Sequence, residues 1–178
     1  MLRVVVDTSS LVSYVLTGGE IMRRVVAHWR ADDFVLLTSP FIRAELAGVL
    51  ARPSIRGLSA LSLDELVRGL ERFSEPVAGA LDLSGACRDP KDDKFLACAV
   101  EGSALYLVSS DRDLLDMRRV QEVCIVNPGQ FLLALQLYEH SPEEMAAHFA
   151  PQTLHDILNT ICLDPTTEAR LKQVVGRK

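Results

Sequence analysis

Short apolar runs alternate along the chain with longer stretches of helical spacing. "RVVV" (Arg3–Val6) is a β-branched run of the kind that fills a strand buried on both faces, and it stops abruptly at Asp7. A helix is expected from about Ser9 to the Gly18-Gly19 break, and a second over Glu20–Arg30. "FVLLT" (Phe34–Thr38) reads as the next strand, after which Ser39 supplies an N-cap and Pro40 a first helical position for "FIRAELAGVL". Ala51–Gly57 reads as a break, and "SLDE" (Ser62–Glu65) as the capping box of a helix ending near Arg72. Beyond a loop, Asp89-Pro90 reads as the cap of "KDDKFLACAVEG", with "ALYLVSS" (Ala104–Ser110) and "VCIVN" (Val123–Asn127) as further strands. Strands that alternate with helices predict an α/β fold with a mainly parallel central sheet.

The pattern changes beyond Gln136. "SPEE" (Ser141–Glu144) and "DPTTE" (Asp164–Glu168) are helix starts, and nothing from Leu137 to Lys178 has strand spacing. The expectation is one domain over residues 1–136 and a helical C-terminal extension over 137–178. Leu154, Ile157, Leu158, Ile161 and Cys162 recur at offsets of three and four, as do Leu171, Val174 and Val175, so the extension carries apolar faces that must be covered. The domain itself, a second copy in a homodimer, or another protein could cover them; an interface is the expectation.

The chain has 178 residues, 48% of them hydrophobic, enough for one domain with a substantial core. No apolar stretch approaches the ~20 residues of a membrane-spanning helix, and no basic segment precedes a cleavable apolar one. A cytoplasmic protein with no membrane partner is expected. Four cysteines without a C-x-x-C pair, each among apolar or helical neighbours, predict reduced, buried thiols. The net charge of -5 argues against binding nucleic acid through bulk positive potential. Residues 1–136 carry a net charge of -3, which would become +1 if bound cations neutralised four acids.

Those acids are the informative residues. Polar groups just past the carboxyl ends of parallel strands are delivered to a shared crevice, and Asp7 and Asp111 both follow strands. Asp93 shares a helical face with Leu96, Ala97 and Val100, while Glu45 lies four residues from Phe41 and Val49, so neither sits where an ordinary surface acid would. Converging carboxylates repel one another, and a divalent cation removes the conflict; oxygen donors without His or Cys favour Mg²⁺ or Mn²⁺. None of the four histidines forms an H-E-x-x-H pair, which argues against a zinc hydrolase.

Four blocks, "VVVDTSSLV", "FIRAEL", "CRDPKDDKFLACA" and "YLVSSDRDLL", occur in the order found in the PIN domain and cover about residues 3–133. The chain resembles that family, in particular the VapC-like branch of toxins from toxin–antitoxin pairs. The resemblance implies a three-layer α/β/α fold and a metal-dependent endoribonuclease with an RNA substrate and a cognate antitoxin. It maps the metal-holding, catalytic acids onto Asp7, Glu45, Asp93 and Asp111. One or two Mg²⁺ or Mn²⁺ ions would activate water and leave a 5′-phosphate and a 3′-hydroxyl. Thr8, Ser9 and Ser109 would support the acids from behind, and Asp89, Asp92 and Asp113 are further candidate acids. Arg43, Lys91, Lys94 and Arg112 neighbour the acids in sequence and are candidate RNA contacts. Ser9 stands where the family's first motif often carries Asn. With 6% aromatic residues, and Trp29 reading as core, recognition is expected to rest on the RNA backbone and shape. A housekeeping RNA-processing nuclease and a non-catalytic PIN-fold binding module are the alternatives. A phosphatase of the haloacid-dehalogenase type would need a second Asp where Ser9 stands.

Overall fold

In the computed structural model, which describes residues 1–56 and 60–176 (side chains at 54, 56 and 60–65 excepted), the apolar run Val4–Val6 divides between two cores. Val4 and Val6 enter one cluster and Val5 the other, because successive strand residues point to opposite faces. Tyr106 and Val108 separate from Leu107 in the same way, as do Cys124 and Val126 from Val123 and Ile125. Helices cover both faces, giving three layers around one sheet.

The elements are β1 (Leu2–Val6), α1 (Thr8–Thr17), α2 (Glu20–Arg30), β2 (Phe34–Thr38), α3 (Pro40–Leu50), α4 (Pro53–Arg56), α5 (Ala60–Phe73), β3 (Ser74–Pro76), α6 (Asp93–Glu101), β4 (Tyr106–Val108), α7 (Arg112–Leu115), β5 (Arg119–Val120), β6 (Val123–Val126), α8 (Pro128–Glu139), α9 (Pro142–His148), α10 (Pro151–Thr160) and α11 (Pro165–Val175). The strand order is β3-β2-β1-β4-β6-β5, with every pair parallel except β5·β6. From β1 the chain winds outward to β2 and β3, then returns to β4 on the other side. The seam between β1 and β4 is therefore the topological switch point, whose carboxyl end forms a crevice.

Several expected boundaries moved. The Ala51–Gly57 break contains the single helical turn α4, and Gly57 lies outside the described residues. Ser62 cannot cap a helix that is already running at Ala60; the side-chain pairing expected of Ser62–Glu65 lies outside the described residues. Asp89 does not start α6: its carboxylate accepts the Lys91 amide at 3.0 Å and closes a turn, so the helix begins only at Asp93. Strands β3 and β5 are three and two residues long, too short to show a period. At the α6–β4 corner, an added Cβ on Gly102 would lie 2.6 Å from Leu37 Cδ1, so only glycine fits there.

The C-terminal helices belong to the same core as the sheet. Leu154, Ile157, Ile161, Leu163 and Leu171 are buried in the cluster that holds Val4, Val6 and Trp29, and Leu158, Cys162, Val174 and Val175 pack against it. Helix α8 runs through residue 136 and buries Phe131 between Phe34 and Tyr106, with ring centroids at 5.1 and 5.8 Å. The apolar faces expected to form an interface are thus covered by the chain itself. Asp164 caps α11 and accepts a 2.9 Å hydrogen bond from the Tyr106 hydroxyl, fixing the extension to β4.

Two of the four cysteines are not free thiols. Cys124 on β6 and Cys162 after α10 form a disulfide with Cα atoms 5.5 Å apart, while Cys87 and Cys98 are free and buried. Sequence spacing hid this pair, since 38 residues and three helices separate its members. The inference from cysteine usage to a reducing compartment loses half its support. Among the described residues, no helix is long and apolar enough to cross a membrane.

Candidate active site

Asp7 stands where β1 ends, and burial makes its hydrogen bonds obligatory. Only 2% of it is exposed, and as the N-cap of α1 it accepts the Ser10 amide at 2.7 Å. Its other oxygen accepts the hydroxyls of Ser9, at 2.9 Å, and of Ser109. Ser109 follows β4 and is fully buried; its Oγ also accepts the Asp111 amide at 2.9 Å. One serine thus fixes both the first acid and the start of the loop that carries another. Asp111 caps α7 by accepting the Asp113 amide at 2.8 Å. The Ser10 and Ser110 hydroxyls meet at 3.4 Å across the same seam, a contact that sequence reading did not single out.

Glu45 reaches the seam from α3. It accepts the Thr8 hydroxyl at 3.3 Å and pairs with Lys94 Nζ at 2.8 Å. Lys94 is committed to this pair and to the Lys91 carbonyl, so it neutralises an acid and does not stand free for a phosphate. Arg43, Lys91 and Arg112 are exposed; Arg43 lies 3.4 Å from Ser74 Oγ.

The third block is read differently by the structure. Both carboxylate oxygens of Asp93 are occupied by amides of the preceding loop, Gly85 N at 2.7 Å and Cys87 N at 2.8 Å. From the first position of α6 its side chain folds back as a loop clamp, so Asp93 is not brought into the acid group. Asp92 is. It is the N-cap of α6 but makes no capping hydrogen bond; its carboxylate accepts only a long contact, 4.0 Å, from the Cys87 thiol among the described residues. Burial first, then the charges of Asp111 and Asp89 and more weakly Asp7, push its pKa up to about 6 against the opposing charge of Lys94. The Asp92-Asp93 doublet was the available signal; helical phase alone points to Asp93, whose carboxylate the structure spends on loop amides. Asp113 is held by Arg88, with Nε at 2.9 Å, and Arg88 also approaches Asp116 at 3.5 Å, so Asp113 is spent on a surface latch. Asp89 adds negative charge while closing its turn.

The arrangement sets Asp7, Asp92 and Asp111 around one crevice, with Glu45 at its wall beside Lys94. Their oxygen donors suit a hard divalent cation, and the raised Asp92 pKa reflects burial first and then the nearby charges of Asp111 and Asp89. Among the described residues, no three His, Cys, Asp or Glu side chains stand close enough together to form a finished coordination cluster.

The PIN domain family model matches residues 3–113. The chain belongs to the PIN domain family, whose members are generally nucleases. No curated protein matches it. Among solved structures it is similar to VapBC2 from Rickettsia felis bound to a DNA fragment from their promoter, with a TM-score of 0.49 and 12% identity over 71% of this chain and 98% of that one.

Proposed function

We propose that this chain is a metal-dependent endoribonuclease and the toxin of a toxin–antitoxin pair. The observation that carries the catalytic reading is the half-buried Asp92, which feels the charges of Asp111 and Asp7 at the switch point. Asp7, Asp92 and Asp111 would hold Mg²⁺ or Mn²⁺, with Glu45 completing the set through the oxygen that Lys94 and Thr8 leave unused. Asp93 acts by clamping the 85–87 loop, which sets the direction of Asp92. When bound, the cation supplies charge neutralisation at the attacked phosphate and a more acidic water. Ser9 and Ser109 hold the Asp7 carboxylate in one orientation, and Lys94 holds one oxygen of Glu45 in an ion pair at 2.8 Å. Arg43, Lys91 and Arg112 are proposed to meet RNA phosphates along the rim. The four-block resemblance supports the toxin assignment and with it an antitoxin partner and a cytoplasmic setting.

The test is to sequence RNA ends after induced expression, beside an Asp7→Ala control. New 5′-phosphate ends and growth arrest with the unaltered chain alone support the proposal. Maturation of a defined precursor without arrest favours the housekeeping nuclease, and identical RNA ends in both cultures defeat the catalytic reading.

A further inference from the structure

The sheet edge that carries the acids continues into a cavity of about 300 Å³ that the acids do not use. Asp116 and Arg118 line it from the turn after α7, Asn127 and Gln130 from the start of α8, and Thr160 and Cys162 from the end of α10 and the residues beyond. It adjoins the acids closely in the fold. Ser109, whose hydroxyl holds Asp7, donates its amide to the Val126 carbonyl at 3.0 Å, and Asn127 is the next residue. On the other side, Asp111 caps the short helix α7, and Asp116 follows that helix directly.

The chemistry of the lining is set by what the α8 capping box leaves over. Asn127 Oδ1 accepts the Gln130 amide at 2.9 Å, and Gln130 Oε1 accepts the Asn127 amide at 3.0 Å. Each side chain has spent its oxygen and is thereby fixed in orientation, while neither side-chain NH₂ group has a hydrogen-bond partner among the described residues. Among the described residues the Arg118 guanidinium meets only the Thr160 carbonyl, at 3.5 Å, and keeps donors to spare. Asp116 adds an acceptor, and Leu115 and Ile125 add an apolar wall. Two oriented amide donors, a guanidinium and a carboxylate beside an apolar surface suit a flat heteroaromatic ring with donors and acceptors on its edge. The volume is at the small end of the range for ligand sites, about 300–1,000 Å³.

We propose that this cavity receives the base of a nucleotide flanking the scissile phosphate, so that the C-terminal extension supplies one wall of a base-selecting subsite. As a role in substrate choice, it rests on the nuclease reading of the adjacent acids; as a nucleotide-binding site it can be measured without catalysis.

The experiment uses the full ¹⁵N-labelled chain in EDTA, titrated with each of the four nucleoside 5′-monophosphates and with ribose 5-phosphate while the Asn127 and Gln130 side-chain amide resonances are followed. At least one nucleotide is expected to shift both resonances, with ribose 5-phosphate leaving them in place. Gln130→Glu keeps the capping-box acceptor but deletes the amide donor, and should weaken that nucleotide roughly five-fold or more. Thr160→Trp fills the cavity and should abolish the shifts in a chain that still gives a folded spectrum. Nucleotides that move neither resonance, equal shifts with ribose 5-phosphate, or unweakened binding to both variants would overturn the subsite. If nucleotides bind here but Mn²⁺ elicits no RNA cleavage, the nuclease reading fails and the site remains.

Discussion

Asp7 and Asp164 are buried to almost the same degree, 2% and 1% exposed, and both cap helices. Asp164 accepts the Thr166 and Thr167 amides, each at 3.1 Å, and the Tyr106 hydroxyl at 2.9 Å, contacts that fasten α11 to β4. Asp7 is equally well bonded but adds its charge to that of Asp111 and Asp89 against Asp92. Burial with good hydrogen bonds therefore describes both a structural tether and a site residue. Charge left without compensation separates them, since a fold has no reason to gather like charges unless something else is to balance them.

The comparison breaks most visibly if the extension is dispensable. Ending the chain after Gln136 cuts α8 within its last turn and removes Asp164, Leu154 and Leu171 from the main core, so the remainder should show no cooperative thermal transition. An intact transition by circular dichroism would make the extension a separate unit. The next largest effect is catalytic. Asp7→Asn keeps an oxygen for the Ser10 amide and should fold, yet should lose roughly 100-fold or more of Mn²⁺-dependent RNA cleavage. Retained cleavage would place Asp7 with Asp164, as a cap only.

Asp164→Ala should do the converse, destabilising the protein by about 2–4 kcal/mol through loss of a helix cap and of the Tyr106 partner, measured by urea unfolding. The neighbouring aspartates of the third block sharpen the distinction further. Asp93→Asn deprives two loop amides of a charged acceptor and should cost about 1–3 kcal/mol, whereas Asp92→Asn should stabilise the metal-free chain. The sign follows from protonation. A carboxyl whose pKa rises on folding from 3.8 to about 6 binds its proton more tightly in the native state, so its contribution is complete below pH 3.8 and is lost as the pH climbs through 6. In EDTA the melting temperature of Asp92→Asn should exceed that of the unaltered chain at pH 7, and the gap should close towards pH 4. A constant gap would show that neither burial nor the other acids raise the Asp92 pKa on folding.

Much of this was legible in local chemistry. Ser39-Pro40 and Gly18-Gly19 are strong punctuation and fell where expected, and the β-branched run ending in Asp7 led to the switch point because strand and turn signals act over a few residues. Telling the roles of Asp92 and Asp93 apart required knowing that one carboxylate accepts the amides of the 85–87 loop, which no periodicity encodes. The pairing of Lys94 with Glu45 was hidden for the same reason: its partners lie on separate helices, 49 residues apart. The path of the extension was also out of reach, because an amphipathic stripe states that a face will be covered and says nothing of what covers it.

The Cys124–Cys162 bond joins β6 to the chain beyond α10 and makes a covalent ring of everything between them, α8, α9 and α10 included. A protease that cuts within the ring, for instance in the short connection at His140–Ser141, opens the ring without releasing either piece. The nicked protein should run as one species on a non-reducing gel and as two after reduction, with the C-terminal helices still attached to the sheet they cover.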